Sequence, residues 1–158
     1  MSTRTEQLRE VLDANHAEMR SLIESLAPEQ LRRKTEAGWT VGQMAGHIAA
    51  SASGDIYVAK RLAQGKAAEL PGFLSFIINI ANWWGVRKFK TASTADIVAA
   101  CDEGHQALTG FVSGLTEEQL DRAAAVMTIG RISTFDYLKR SPAHTQEHAA
   151  LIRRALAG

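Results

Sequence analysis

The chain has 158 residues, enough for one domain with its own hydrophobic core and too few for two. Its composition is that of an ordinary globular protein, and a formal net charge of +1 argues against a large basic surface for nucleic acid or an anionic membrane. The single cysteine, Cys101, rules out an internal disulfide, and the polar N-terminus lacks the apolar core of a signal peptide. We therefore expect one cytoplasmic domain over residues 1–158.

Four segments begin with a Ser or Thr that can cap a helix, followed by an amphipathic run. The second segment ends at Gly65 and the third near Val112. Strand signals are nearly absent, apart from an isolated and mildly extended stretch over residues 125–132. The pattern predicts an all-α four-helix bundle. The four predicted helices begin after Thr3, Thr40, Ser93 and Ser133.

Two features of the sequence leave alternatives open. The apolar stretch over residues 72–86 is shorter than the roughly 20 residues that span a bilayer, so we interpret it as a buried or half-buried helix, with a membrane-surface segment as the alternative. Pro142 either kinks one long helix from about residue 134 to 157 or lies at the first position of a new helix capped by Ser141. We favour the single kinked helix.

A short sequence echo indicates an internal repeat. LAPEQL at residues 26–31 recurs as LTEEQL at residues 115–120, each time between a predicted helix and the loop that leads to the next capped helix. Either the two halves are related helix pairs, or residues common at helix starts produce the likeness by chance.

Three of the five histidines have the spacing of metal ligands. His144 and His148 are four residues apart, so their rings lie side by side on one face of a helix and can both reach one ion. His47 lies among apolar and small residues of the second helix, at a similar phase counted from its cap. If the second and fourth helices are neighbours, the three rings can converge. A buried imidazole needs a polar partner, which is a metal, a water or a backbone carbonyl.

The other two histidines and the cysteine lack such an arrangement. His16 and His105 are expected to be exposed or hydrogen-bonded locally. Cys101 falls within the third helix between Ala100 and Asp102, and we interpret it as an inert cysteine rather than a nucleophile.

The order of these motifs resembles a known family. The segment GWTVGQMAGHI at residues 38–48 is similar to the second-helix signature of the DinB-like superfamily, and His144 with His148 resembles the HxxxH motif of its fourth helix. The LxxEQL element before Trp39 is also common there. The resemblance covers nearly the whole chain and implies up-down-down-up connections between the four helices.

The resemblance also implies a site, a cofactor and partners. In this family a divalent metal is held by the positions of His47, His144 and His148, and the proteins are usually homodimers acting on a small molecule. Some relatives are transferases or isomerases that use a low-molecular-weight thiol, such as mycothiol or bacillithiol, and some are hydrolases. Because three imidazoles and no carboxylate form the ligand set, Zn or Ni suits it best.

Several neighbouring residues have both a functional and an ordinary interpretation. Glu147 points about 100° away from His148 around the helix and is left out of the ligand set. Asp55 and Gln43 either orient an imidazole or are ordinary polar residues. Arg87 and Lys88 either bind a charged substrate or form a basic surface turn. A further group either lines a pocket or packs in the core or in a dimer interface: Phe73, Phe76, Ile77, Trp83 and Trp84.

The first functional hypothesis is an enzyme that activates a thiol or water at a three-histidine metal site, for transfer or hydrolysis. The alternative is a non-catalytic dimeric or ligand-binding bundle in which any metal only ties the helices together. An open cleft beside the ion favours the enzyme, whereas a closed and saturated site favours the structural role.

Overall fold

The computed structural model describes residues 2–69, 82, 84–127 and 129–158. Its four long helices begin at the capping residues predicted from the sequence, and three of the caps are reciprocal boxes in which a side chain also bonds back to the cap backbone. The Ser133 hydroxyl accepts a hydrogen bond from the Asp136 amide. The helices are α1 (Arg4–Glu24), α2 (Val41–Ala63), α3 (Thr94–Ser113) and α4 (Thr134–Ala157).

Contacts between helix ends show that α1 runs antiparallel to α3. The Thr94 hydroxyl at the start of α3 donates to the Leu26 carbonyl just beyond α1, at 2.9 Å. At the opposite end, the Arg4 guanidinium bonds to Glu117 just beyond α3, at 2.6 Å.

Side-chain pairs along α4 fix its direction relative to α1 and α2. Asn15 bonds to Thr145 at 3.0 Å, and Glu18 pairs with Arg153 at 2.7 Å, so α1 and α4 run parallel. Tyr137, near the start of α4, donates to Asp55 in the second half of α2, so α2 and α4 run antiparallel. The order is therefore up-down-down-up, and the predicted bundle is confirmed.

The two LxxEQL elements occupy equivalent places. The first forms a 3-10 helix, Gln30–Arg32, and the second a short α-helix, Glu117–Asp121. After each, the first residue of the next long helix donates its amide to the carbonyl of an arginine: Val41 to Arg33 at 2.8 Å, and Thr134 to Arg122 at 2.9 Å. The sequence similarity between the two elements thus corresponds to a similar local structure.

The stretch over residues 125–132 contains extended segments, as expected, but the prediction that it is isolated was wrong. Strands β1 (Ala123–Val126) and β2 (Gly130–Ser133) form an antiparallel hairpin, in which Gly130 has a φ of 86°. The Ala68 amide also donates to the Ala125 carbonyl at 2.8 Å, so the segment after α2 pairs with this hairpin. A stretch of alanines carries little alternating pattern, which is why the sequence did not indicate the pairing.

Two remaining expectations concern Pro142 and the apolar stretch. Pro142 lies inside one continuous helix, as favoured above, and no second helix begins there.

Most of residues 72–86 lie outside the described part of the chain. Residues 84–87 are helical and are followed by the buried Phe89. Among the helices of the described residues, none has the length and apolar character needed to cross a bilayer.

Candidate metal centre

Three imidazole rings meet between α2 and α4. His47 lies in the second turn of α2, and His144 and His148 lie on successive turns of α4. The ring of His47 is 5.5 Å from that of His144 and 4.7 Å from that of His148, measured between centroids. Each ring offers one nitrogen such that all three atoms lie within 4.8 Å of one another. Within the described part of the chain, no other group of His, Cys, Asp or Glu side chains comes together in this way.

The spacing of the nitrogen atoms is compatible with a metal ion. The Nε2 atoms of His144 and His148 are 3.3 Å apart. Two nitrogen ligands about 2.0–2.1 Å from a tetrahedral ion are separated by about 3.3 Å. The pair therefore needs little movement to share an ion, and His47 approaches from the facing helix.

The environment keeps His47 and His148 neutral, the form in which an imidazole binds a metal. Burial, followed by the neighbouring rings of His148 and His144, lowers the pKa of His47 to about 4. Burial and the ring of His144 also lower the pKa of His148. At neutral pH both rings have a free lone pair, so the donor set fits a divalent metal.

Of the two interpretations of Gln43 and Asp55, the structure favours ordinary polar roles, because the hydrogen bonds of both go to described residues other than the three histidines. Gln43 Oε1 accepts from the Thr40 amide at 3.1 Å, so Gln43 caps α2. Asp55 bonds to residues of α4 other than the histidines. The indole of Trp39 packs against His47 at 5.3 Å between centroids, in an edge-on contact, and thus limits how that ring can turn. Nδ1 of His148 is buried without a hydrogen-bond partner among the described residues.

A cavity of about 660 Å³ opens beside His47 and His144. Its size is within the range of sites for small organic molecules. It extends along the seam between α2 and α4, so a molecule inside it would lie next to the nitrogen atoms. The charged side chains among the described residues of its wall are Asp55, Arg140 and Glu147.

Asp55 joins the two walls of the cavity. One carboxylate oxygen accepts from the Tyr137 hydroxyl at 3.1 Å, and the other accepts from the Ser141 hydroxyl. Burial raises the pKa of Asp55, while these two hydrogen bonds and His144 oppose that rise. Burial, followed by the charge of Asp55, raises the pKa of Tyr137. Asp55 thus ties α2 to α4 two helical turns from His47.

Comparison with known families gives a match over most of the chain. The profile of the DinB superfamily matches residues 11–152. The chain belongs to the DinB superfamily. No curated protein sequence matches this DinB chain significantly.

Solved structures share the DinB fold of the chain. YfiT from Bacillus subtilis, described as a probable metal-dependent hydrolase with an unusual four-helix bundle topology, is 23% identical, with a TM-score of 0.74; the match covers 98% of this chain and 87% of YfiT. A mycothiol-dependent maleylpyruvate isomerase is 11% identical, with a TM-score of 0.73; the match covers 96% of this chain but only 63% of the isomerase. An uncharacterised protein from Clostridium difficile 630 is 10% identical, with a TM-score of 0.70, and the coverages are 98% and 96%.

Some predicted site residues of this DinB protein lie elsewhere. The Arg87 guanidinium lies 5.2 Å from the centroid of the exposed Trp84 ring, and the Lys88 ammonium lies 4.9 Å from that of Phe89. Neither cation is in the cavity wall, which agrees with a basic surface turn. Glu147 does line the cavity, although it is not in the nitrogen cluster. The predictions for Phe73, Phe76, Ile77 and Trp83 fall outside the described residues.

The expectation for His16 and His105 was wrong. Their rings stack in parallel, 4.1 Å apart, between α1 and α3. Each Nε2 bonds across the helices: His16 to Asp102 at 2.9 Å, and His105 to Asp13 at 2.8 Å. Local spacing could not show these partners, because they come from a different helix.

Cys101 has a histidine from another helix beside it. Its Sγ lies 3.6 Å from Nδ1 of His16. Nevertheless, burial raises the pKa of the thiol to about 11, so Cys101 stays protonated and inert near neutral pH.

Sequence reasoning missed the functional potential of three polar side chains that α4 brings to the cavity. Tyr137 and Ser141 are four residues apart and both hold Asp55. Arg140 lies four residues before His144 and shares its cavity. The signal available in the sequence was the spacing of four that already linked His144 to His148.

Proposed function

We propose that this protein binds a divalent metal through His47, His144 and His148 and uses it to activate a water or a thiol that attacks a small substrate. The observation that carries the proposal is the meeting of three ring nitrogens, within 4.8 Å of one another, beside a cavity of about 660 Å³. When bound, a divalent ion supplies one kind of chemistry there: it lowers the pKa of a coordinated water or thiol towards neutrality.

The protein's own residues hold and orient the reactants. The three imidazoles would supply the nitrogen ligands, and Trp39 restrains the ring of His47. Asp55 has a hydrogen bond to each oxygen and lies in the cavity wall, where it can accept a further hydrogen bond from a substrate. Since the donor set contains nitrogen atoms only, Zn or Ni is the expected metal.

The cavity favours an enzyme over a purely structural metal. A structural site is closed and fully coordinated by protein, whereas a catalytic site keeps an open position. His144 is exposed and lines the cavity, so the proposed ion would face space large enough for a substrate. The descriptions of YfiT as a probable metal-dependent hydrolase and of the isomerase as mycothiol-dependent support hydrolysis and thiol chemistry as the two reactions to test.

Elemental analysis of untagged protein tests the metal site. We expect the wild type to contain Zn or Ni, and His47→Ala, His144→Ala and His148→Ala each to lose most of it, because two imidazoles bind far more weakly than three. His105→Asn is the matched control: it removes an imidazole from the other side of the bundle and should leave the metal content unchanged.

Two results would contradict the proposal. One is unchanged metal content in all three alanine variants, with circular dichroism showing that they are folded. The other is a folded wild type that takes up no metal after incubation with Zn²⁺ or Ni²⁺. Assays of the metal-loaded protein on ester substrates, with and without added mycothiol or bacillithiol, then separate hydrolysis from thiol transfer. The homodimer implied by the family resemblance stays a prediction.

A further inference from the structure

The cavity beside the histidines has one strongly basic side chain among its described residues, that of Arg140. Arg140, His144 and His148 follow one another at intervals of four on α4, so their side chains leave the helix on one face. One turn of helix, about 6 Å of rise, separates Arg140 from His144. The guanidinium is therefore positioned to act on a molecule that also reaches the nitrogen cluster.

Arg140 differs from the arginines that stabilise the bundle. Several others pair with carboxylates across helices or along one helix: Arg4, Arg20, Arg122, Arg153 and Arg154. Among the described residues, no carboxylate, carbonyl or aromatic ring contacts the Arg140 guanidinium. Its five donors are available to a ligand.

Neither acidic residue in the described part of the cavity wall forms an ion pair with Arg140. Both oxygens of Asp55 already accept hydrogen bonds from Tyr137 and Ser141. Glu147 is exposed and lies two turns along α4 from Arg140, about 10 Å of rise. An anion that enters the cavity can therefore reach the Arg140 guanidinium, which has no ion-pair partner among the described residues.

We propose that Arg140 binds the carboxylate of a small organic acid whose reactive group lies at the histidine cluster. The inference rests on the proposed function, since it names the substrate class of that site. With a divalent ion bound, its charge and that of Arg140 would exceed the two negative charges of Asp55 and Glu147, so the cavity would favour an anionic ligand. A planar guanidinium matches a carboxylate with two parallel hydrogen bonds. With one such group in the described wall, the site suits a carboxylate better than a phosphate, which commonly takes several donors or a helix N-terminus.

Binding of simple acids tests the proposal without an activity assay. Succinate and benzoate are titrated into metal-loaded and metal-free protein by calorimetry, with succinamide as the neutral analogue and inorganic phosphate as a competing anion. We expect at least one of the two acids to bind the wild type, and succinamide and phosphate to bind at least tenfold more weakly.

Two charge-matched variants locate the binding site. Arg140→Gln should weaken binding of the acid about 10- to 100-fold, as expected when charge-assisted hydrogen bonds are removed. Lys139→Gln removes the same charge from the adjacent position, where the ammonium lies 5.9 Å from the Phe135 ring centroid, and should leave binding unchanged.

The outcomes separate this inference from the proposed function. Equal binding to the wild type and Arg140→Gln, or no binding of either acid, overturns the carboxylate site. Phosphate binding as tightly as the acid overturns the assignment to carboxylates. Metal content, measured on the same samples, decides the metal site independently, because Arg140→Gln should keep the metal whereas the histidine variants should lose it.

Discussion

Gly46 lies next to His47, and the absence of a side chain there allows Phe89 to pack against α2. A Cβ atom at residue 46 would lie 2.1 Å from Cγ of Phe89. Phe89 is buried and belongs to the same core cluster as Met44 and Ile48, which flank the candidate ligand. The close contact between the backbone of Gly46 and the ring of Phe89 thus helps to fix the position of the neighbouring His47.

Gly46→Ala is expected to destabilise the protein by about 1–3 kcal/mol, because the added methyl group must displace a buried aromatic ring. Gly54→Ala is the control on the same helix, where a Cβ meets nothing within 4 Å. It should be neutral or stabilising by up to about 1 kcal/mol, since Ala favours a helix over Gly. Urea unfolding of both variants measures the difference. Equal stability of Gly46→Ala and the wild type would mean that Phe89 can move at no cost.

For individual residues, the sequence indicated which histidines could come together, but it did not indicate which side chains pair across the bundle. His47, His144 and His148 could be selected because helical spacing and the family resemblance both indicate them. The contact of His16 with Cys101 joins residues 85 positions apart, and Tyr137 is 82 positions from Asp55. Such pairs depend on the relative rotation and shift of two helices, which local patterns do not determine.

The helices themselves were predictable because their starts are set locally. A capping side chain and the amide three residues later are close in sequence, so Thr3, Thr40, Ser93 and Ser133 could be recognised directly. The hairpin of β1 and β2 depends instead on pairing between two short strands and on Ala68, so its sequence signal is weak.

Pro142 is the main irregularity within a long helix, and it lies just before the HxxxH motif. Proline has no amide hydrogen, so the carbonyl four residues earlier loses its usual helical partner. Pro142→Ala should restore that hydrogen bond and stabilise the protein by about 1–3 kcal/mol, the direction given by helix propensity. Thermal unfolding of the metal-free protein measures the effect.

Pro28→Ala is the matched control for this prediction. Pro28 lies in the turn between α1 and the following 3-10 helix, where proline mainly restricts the unfolded chain. Its replacement should lower stability by up to about 1 kcal/mol, the opposite sign. A Pro142→Ala variant less stable than the wild type would show that the proline ring supplies more packing energy than the missing hydrogen bond costs.

The arrangement of the whole bundle brings the site together. Because α2 and α3 run parallel, the last residue of α2 and the first residue of α3 lie at opposite ends of the bundle. Periodicity alone could not show that α2 packs against α4; the family resemblance supplied that order, and the contacts of Asp55 with α4 confirm it.

The same arrangement makes stability depend on pH. Burial between α2 and α4 lowers the pKa of His47 to about 4 from an ordinary value of 6.5. The unfolded chain therefore binds a proton at this residue before the folded protein does, as pH falls below 6.5. The contribution of His47 to folding stability is therefore fully present above pH 6.5 and is lost progressively towards pH 4. The lowered pKa of His148 acts in the same direction, while the raised pKa of Asp55 opposes it at acid pH.

Urea unfolding of metal-free protein at several pH values between about 7.5 and 4.5 should show this loss. The slope of unfolding free energy against pH should be smaller in His47→Gln, which keeps Asp55 and His148 but cannot take up the proton.

Added Zn²⁺ should raise the unfolding temperature of the wild type more at about pH 7.5 than at about pH 5.5. Protons compete with the metal for the imidazoles, and only the folded chain offers all three together. The His47→Gln variant should show little shift with Zn²⁺ at either pH. A wild-type unfolding free energy that does not change over this range, with the same slope in His47→Gln, would mean that His47 is as accessible to protons in the bundle as in the unfolded chain, contrary to its packing against Trp39 and the two rings of α4.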